Sequence, residues 1–349
     1  MIWAAFVLLV LLVLAFDLGL FTRGEKKALT ARAALVRTAV YFLLALLFTV
    51  FVYFAYENHW FQLGVYAAPA SEDEAHGEHV AAHTASLLPK NGRDAAIMFF
   101  MGYILEQSLS IDNIFVIALI LGYFQVPAAY QHRVLLWGIL GALVMRGVMI
   151  SAAVELVQQY HGVTYLFGLF LLGTAIKMLF AGDEEMDFEQ SRMIRLVRRV
   201  CRVHPTFVQD KFTTTIDGKF AITPLLLALV IVETTDLVFA VDSIPAVIGL
   251  TEDRFLVFTS NVFAILGLRS LYFALADLLG KFRYLKYSLV AILALVGIKM
   301  LIHDILPHDR TSEITLISLG VIAVALAIGI GVSLAIPEPA EKSDEGEPA

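Results

Sequence analysis

The chain has 349 residues, 59% of them hydrophobic and only 16% charged, and its mean hydropathy is +0.78. That composition excludes an ordinary soluble domain and points to a polytopic membrane protein. The formal net charge of −7 describes no single surface, because the charges are segregated into loops, and the one cysteine, Cys201, excludes an internal disulfide framework. No nucleic-acid signature is present.

Nine apolar runs are expected to span the bilayer, at 2–21, 38–57, 95–122, 134–157, 163–181, 222–248, 255–280, 286–304 and 313–336. Each can cross a core of about 30 Å as a helix rising 1.5 Å per residue. Helices are required because lipid offers the backbone no hydrogen-bond partners. The first run, Ile2 to Leu20, has no preceding basic region and no small-x-small cleavage site before polar sequence. It reads as a retained helix rather than a signal peptide.

The chain divides accordingly. Residues 1–57 carry two N-terminal helices, and 58–94 form an acidic, His-rich loop. Three spans occupy 95–181, a basic loop 182–221, three more spans 222–304, and a ninth helix 305–336. The tail, 337–349, is rich in Pro, Glu and Ser and is expected to be disordered.

Lys and Arg concentrate on alternate loops: Arg23, Lys26, Lys27, Arg32 and Arg37, then Arg133, then Arg192 through Lys219, then Lys281, Arg283 and Lys286. The opposite loops hold only Lys90, Arg93, Arg254 and Arg310. The positive-inside rule then puts the N-terminus outside and the C-terminus in the cytoplasm. Residues 186–204, basic with interspersed apolar positions, suggest an interfacial helix on anionic lipid. In the 58–94 loop, His76, His79 and His83 stand among Glu72, Asp73, Glu74 and Glu78. They form a candidate divalent-cation capture loop, although composition alone favours a solvated acidic segment.

Five acids lie deep within the spans: Glu106, Asp112, Glu233, Asp236 and Asp242. An ionisable group at that depth costs roughly 2.5–3.5 kcal/mol even on the lenient insertion scale, so such groups mark function by default. They fall into two matched sets. Aligning Asp112-Asn113-Ile114 with Asp242-Ser243-Ile244 puts Glu106 on Asp236. Downstream, Met145-Arg146-Gly147 matches Leu268-Arg269-Ser270, and Ile176-Lys177-Met178-Leu179 matches Ile298-Lys299-Met300-Leu301. The Arg-to-Lys spacing is 31 in one copy and 30 in the other. A three-helix unit followed directly by another is inverted in the membrane, an arrangement that secondary transporters use around a midplane site. The fold class expected is therefore an all-α polytopic membrane protein, about nine transmembrane helices with an inverted 3+3 repeat.

Residues six apart on a straight helix diverge by about 240°, so Glu106 and Asp112 do not share a face, nor do Asp236 and Asp242. Glu233 and Asp236, three apart, do. Pro245 leaves the Val241 carbonyl without its helical donor, beside Asp242. Ser110, Asn113, Thr235, Ser243 and Asn261 supply further polar groups. With no Cys or His in these segments, the oxygen-rich inventory suits Mn²⁺, Mg²⁺ or Ca²⁺. Surplus negative charge makes exchange with protons feasible. The competing explanation is structural ion pairing. Arg146 and Arg269 lie near mid-membrane, while Lys177 and Lys299 lie nearer span ends and are expected to snorkel.

The segments E-Q-S-L-S-I-D-N-I-F (106–115), E-T-T-D-L-V-F-A-V-D-S-I-P-A (233–246) and T-S-N-V-F-A-I-L-G-L-R-S-L-Y-F (259–273) resemble the TerC family of integral membrane proteins, over about residues 1–336. The helix pair before the first acid motif resembles its Alx-type branch, linked to manganese export and induced at alkaline pH. The resemblance implies that Glu106, Asp112, Glu233, Asp236 and Asp242 coordinate or conduct Mn²⁺ as a transported substrate, in the bacterial inner (plasma) membrane, with no prosthetic group. It also carries an alternative, a non-transporting scaffold or stress-resistance protein. The family bears a tellurite-resistance label, and some plant relatives assist membrane-protein insertion. No nucleophile–base pair, phosphate loop or HExxH is present, so no enzymatic activity is expected.

Overall fold

The computed structural model describes residues 2–17, 31–66, 87–160, 162–180, 201–216, 218–275, 285–302 and 311–335, with isolated positions between 195 and 199. Among these residues nine α-helices are delimited, in order: α1 (Ile2–Asp17), α2 (Ala31–Glu57), α3 (Gly92–Tyr123), α4 (Ala128–Gln159), α5 (Gly162–Phe180), α6 (Pro224–Ile248), α7 (Arg254–Leu275), α8 (Leu285–Leu301) and α9 (Thr311–Ala335). Among the described residues, six are long and apolar enough to cross a membrane. The apolar parts of α1, α8 and α9 are shorter. The chain is thus a helical, multi-pass membrane protein.

Helix ends follow from local chemistry. The Asn91 side chain accepts from Asp94 N–H at 2.8 Å and caps α3. The Gly92 N–H donates to the Glu57 carboxylate at 2.9 Å, tying that helix start to the end of α2. Asp253 Oδ1 accepts from the N–H groups of Phe255 and Leu256 at 2.9 and 3.0 Å, satisfying two orphan donors of α7. Pro224 opens α6, where its missing N–H costs nothing. Pro245 is accommodated within the same helix, which runs on to Ile248.

One feature departs from an all-helical reading. Thr213–Ile216 (β1) and Lys219–Ile222 (β2) form an antiparallel hairpin in the loop before α6, turning at Gly218 with a φ of 74°. The Thr-rich alternation and the Asp217-Gly218 pair are its signature in the sequence. The hairpin is pinned to α6 by Thr223, whose hydroxyl donates to the Lys211 carbonyl at 2.8 Å.

The packing is reciprocal. α3 lies along α7, α4 along α6, and α5 along α8. The last pair is closest: a Cβ at Gly168 would lie 3.0 Å from the Gly297 carbonyl oxygen, and one at Gly297 would lie 2.9 Å from that of Gly168. Small residues at such a crossing let two backbones touch, the usual basis of helix association in lipid. α2 covers α3 and α7 from one side, and α9 packs on α8. α1 is held through Trp3 and Phe6, whose rings meet Phe255 and Phe258. The outward faces of α1 and α2 expose Leu8, Leu11, Leu12, Leu43 and Leu47, as lipid contact requires.

The proposed interfacial helix falls largely outside the described residues, and the 337–349 tail falls wholly outside them.

Candidate cation site

The site is built around Arg146, midway along α4 and 2% exposed. Three helices meet its guanidinium. Nε and Nη2 donate side-on to the Asp236 carboxylate of α6, at 3.1 Å to Oδ2 and 2.9 Å to Oδ1. Nη1 donates to Glu106 Oε2 of α3 at 2.9 Å and to Asn261 Oδ1 of α7 at 3.4 Å. One planar fork thus joins four helices, using four of the five N–H groups a guanidinium carries. Glu106 and Asp236 form one of the two acid pairs that the sequence alignment places at matching positions.

The chamber holds more hydrogen-bonding capacity than Arg146 takes up. Glu106 Oε1, Asn261 Nδ2 and Ser243 Oγ are buried and without a hydrogen-bond partner among the described residues. Ser243 lies two turns beyond Asp236 on the same face of α6, which brings its hydroxyl beside the Glu106 carboxylate, short of a hydrogen bond. Leaving such groups unmet at this depth costs roughly 1–3 kcal/mol each, so the arrangement is poor as a purely structural device.

Glu233 lies one turn before Asp236 on the same face. Its carboxyl group rests flat against Gly141 of α4, where a Cβ would come within 2.5 Å of Cδ. Its Oε2 is buried and has no partner among the described residues. Asp242 points elsewhere: Oδ1 accepts from Thr174 Oγ1 of α5 at 3.1 Å, and the exposed Lys177, one turn further along α5, is within electrostatic range.

The structure therefore brings Glu106 and Asp236 together, sets Glu233 beside them, and turns Asp242 toward α5. The Asp112 side chain lies outside the described residues, as do His76, His79 and His83. Among the described residues, no three His, Cys, Asp or Glu side chains are gathered as a ready-made metal cluster. Ser110 and Asn113 are buried on α3. Thr235 spends its hydroxyl on the Ile231 carbonyl of its own helix at 2.8 Å. Arg269 is buried on α7 at 8% exposure. Lys299 departs from expectation. It does not snorkel but is buried, with no partner for Nζ among the described residues. It lies in the last turn of α8, which packs against α5 and α9.

Sequence reasoning missed Gly141 and Thr174, for which only their neighbourhood in space gives a signal. It also missed a polar cluster where α6 hands over to α7. There Tyr66 donates to Asp253 Oδ2 at 2.7 Å, Thr251 donates to the Leu87 carbonyl at 3.0 Å, and Gln158 Nε2 donates to the Glu252 carbonyl at 3.4 Å. Arg254 pairs with Glu155 and donates to Gln158 Oε1 at 2.9 Å. Burial pushes the Glu252 carboxyl up to about 7 from 4.5. Burial also raises the Tyr66 phenol, reinforced by the Asp253 carboxylate. At the other end of the bundle Arg133 bridges to Asp210 at 2.6 Å and covers the Phe212 ring, holding the hairpin loop against α4.

Comparison with known proteins identifies relatives along nearly the whole chain. A Myxococcus xanthus membrane protein, STKORF319, is 39% identical over 326 residues, covering 93% of this chain and 91% of the relative. A Rickettsia bellii membrane protein is 32% identical over 327 residues, covering 93% and 96%. An Escherichia coli protein, Alx, described as a proposed membrane-bound redox modulator, is 38% identical over 304 residues, covering 87% and 86%. No solved structure matches. The family model for the integral membrane protein TerC family matches residues 91–341, which takes in all four helices that meet at Arg146, and the chain belongs to that family.

Proposed function

We propose that this protein is a secondary transporter that exports divalent cations, Mn²⁺ foremost, across the bacterial inner membrane in exchange for protons. The observation that carries the reading is the meeting of Glu106 and Asp236 on one buried guanidinium, with the Glu233 carboxylate one turn away and partly unmet. These are oxygen donors at the depth where a transporter holds its substrate, and hard divalent ions take such donors. In this reading α3–α5 and α6–α8 are the two inverted copies, with the N-terminus outside and the C-terminus in the cytoplasm. The reciprocal packing of α3 on α7 and α4 on α6 supports that symmetry, since exchanging the copies turns one contact into the other.

The redox description attached to Alx relatives is compatible with moving a redox-active metal ion. It is not compatible with an intrachain dithiol couple, because Cys201 is the only cysteine. A second reading, a membrane scaffold, is favoured by one observation: Arg146 already neutralises much of the acid charge.

Flux into proteoliposomes decides between them, using Mn²⁺, Mg²⁺ and Ca²⁺ at two pH gradients. Transport predicts Mn²⁺ movement that responds to the proton gradient and is lost in Asp236→Asn. A scaffold predicts no flux for any cation and partner binding that survives neutralising the acids.

A further inference from the structure

Arg146 occupies the position, between two carboxylates from two helices, that the transport reading gives to the dication. Its hydrogen bonds are those of a ligand: side-on to Asp236, end-on to Glu106, with the Asn261 amide oxygen as a further acceptor. Charge arithmetic shows why a carrier needs it. Glu106, Asp236 and Glu233 carry three negative charges when ionised, and Arg146 carries one positive charge. Adding one dication makes the group neutral, provided Arg146 stays within it. Without the metal the group is neutral only with two protons bound.

A further carboxylate lies within reach of Arg146. Helical side chains lean toward the N-terminus of their helix, so Arg146 extends along α4 toward the level of Gly141. Glu233 lies against Gly141, on the same face of α6 as Asp236 and one turn back, and its Oε2 has no partner among the described residues. The span from residue 146 to residue 141 is about 7.5 Å along the helix axis, within reach of an arginine side chain.

We propose that Arg146 is a tethered stand-in for the transported cation. It holds Glu106 and Asp236 while the carrier is empty, and moves one turn along α6 to Glu233 when a dication takes those two carboxylates. This inference rests on the transport reading. Arg146 is a positioning residue for the empty carrier's return step, and it sets the exchange at two protons per dication.

The test compares net Mn²⁺ efflux with Mn²⁺–Mn²⁺ exchange in proteoliposomes, together with Mn²⁺ affinity by calorimetry on purified protein. In Arg146→Gln the tethered competitor is gone, so affinity tightens by about tenfold and exchange stays within about threefold of wild type. Net efflux falls by about tenfold or more, because the empty carrier then needs a third proton to return neutral. Arg146→Lys keeps the charge but loses the fork, and restores net efflux in part. Glu233→Gln removes the receiving acid, so Mn²⁺ affinity weakens by about tenfold while Arg146 stays in place. This variant also carries the test if Arg146→Gln proves unfolded. Equal loss of exchange and net efflux in folded Arg146→Gln, or weaker Mn²⁺ binding there, overturns the proposal and leaves transport standing. Absence of flux in wild type overturns the transport reading itself, and is seen before any variant is made.

Discussion

Gly141→Ala separates the position of one carboxylate from its presence. The added Cβ would lie 2.5 Å from Glu233 Cδ, where an ordinary contact is at least about 3.4 Å, so the carboxyl group must withdraw by about 1 Å. It can do so, because it is the free end of a flexible side chain. The helix itself gains, since alanine in place of glycine is worth about 1 kcal/mol in a helix interior. The protein should therefore fold as well as wild type or better, with its melting temperature in detergent unchanged or raised. Net Mn²⁺ efflux in proteoliposomes should drop by up to about a hundredfold, the scale on which roughly 1 Å of misplacement acts at a preorganised site. A further Gly141→Ala/Glu233→Gln double variant should be no worse than Glu233→Gln alone, because the methyl acts only through that carboxyl. Wild-type flux in a well-folded Gly141→Ala protein would refute the assignment of Glu233 to the pathway.

Other variants probe the same frame. Glu106→Gln or Asp236→Asn weakens one arm of the fork while the other carboxylate still neutralises the guanidinium, and should lower stability by about 1.5–3 kcal/mol, measured as loss of the monodisperse species on heating. Thr174→Val removes a hydroxyl that donates to Asp242, at a cost of about 1 kcal/mol, and should slow flux without altering Mn²⁺ affinity at Glu106 and Asp236. Gly297→Val drives a branched side chain onto the Gly168 carbonyl, 2.9 Å from its Cβ, and should cost about 1–3 kcal/mol through forced separation of α5 and α8. Glu252 ties stability to pH. Its carboxyl is held up to about 7 in the fold against 4.5, so it adds stability that is complete below about 4.5 and lost as pH rises through about 7. The full contribution is about 3 kcal/mol, and Glu252→Gln should narrow the gap in melting temperature between pH 5 and pH 8.

The membrane architecture was legible because its cause is one-dimensional. A run of twenty apolar residues has few stable fates, and all nine expected runs overlap helices. The acids were legible as outliers for the same reason. Their partners were not, because a carboxylate's neighbour across a helix interface depends on packing angle and not on spacing. Nothing in the sequence singles out Arg146 over Arg269 as the residue that reaches both Glu106 and Asp236. Glycines likewise carry no sign of what they face, so Gly141 reads like Gly122, beside which a Cβ would meet nothing within 4 Å. Lys299 was misjudged because snorkelling assumes a lipid-facing side chain, whereas helix neighbours cover it here. The β1–β2 hairpin has a local signal, the Asp-Gly turn, in a loop whose basic residues speak only to topology.

The placement of acids along α6 gives the transport reading a direction. Glu233, Asp236 and Asp242 follow one another over about 13.5 Å of helix, at 1.5 Å per residue. The first two face α4 and α3, and the third has turned toward α5. A cation moving from Asp236 to Asp242 must pass around the helix, and Ser243 lies on that route, its hydroxyl beside Glu106 and its backbone next to Asp242. With Pro245 withholding a donor from the Val241 carbonyl, the same turn of α6 offers a backbone oxygen as well. A helix that carries acids on two faces, joined by a hydroxyl and a carbonyl that Pro245 does not meet, provides stepping points for a hard cation. It provides no such continuity for an ion pair whose only task is to hold helices together. Blocking the step with Ser243→Val should therefore trap Mn²⁺ at Glu106 and Asp236, keeping affinity within about threefold while stopping flux. Flux that survives this substitution would place the exit on some other face of the bundle.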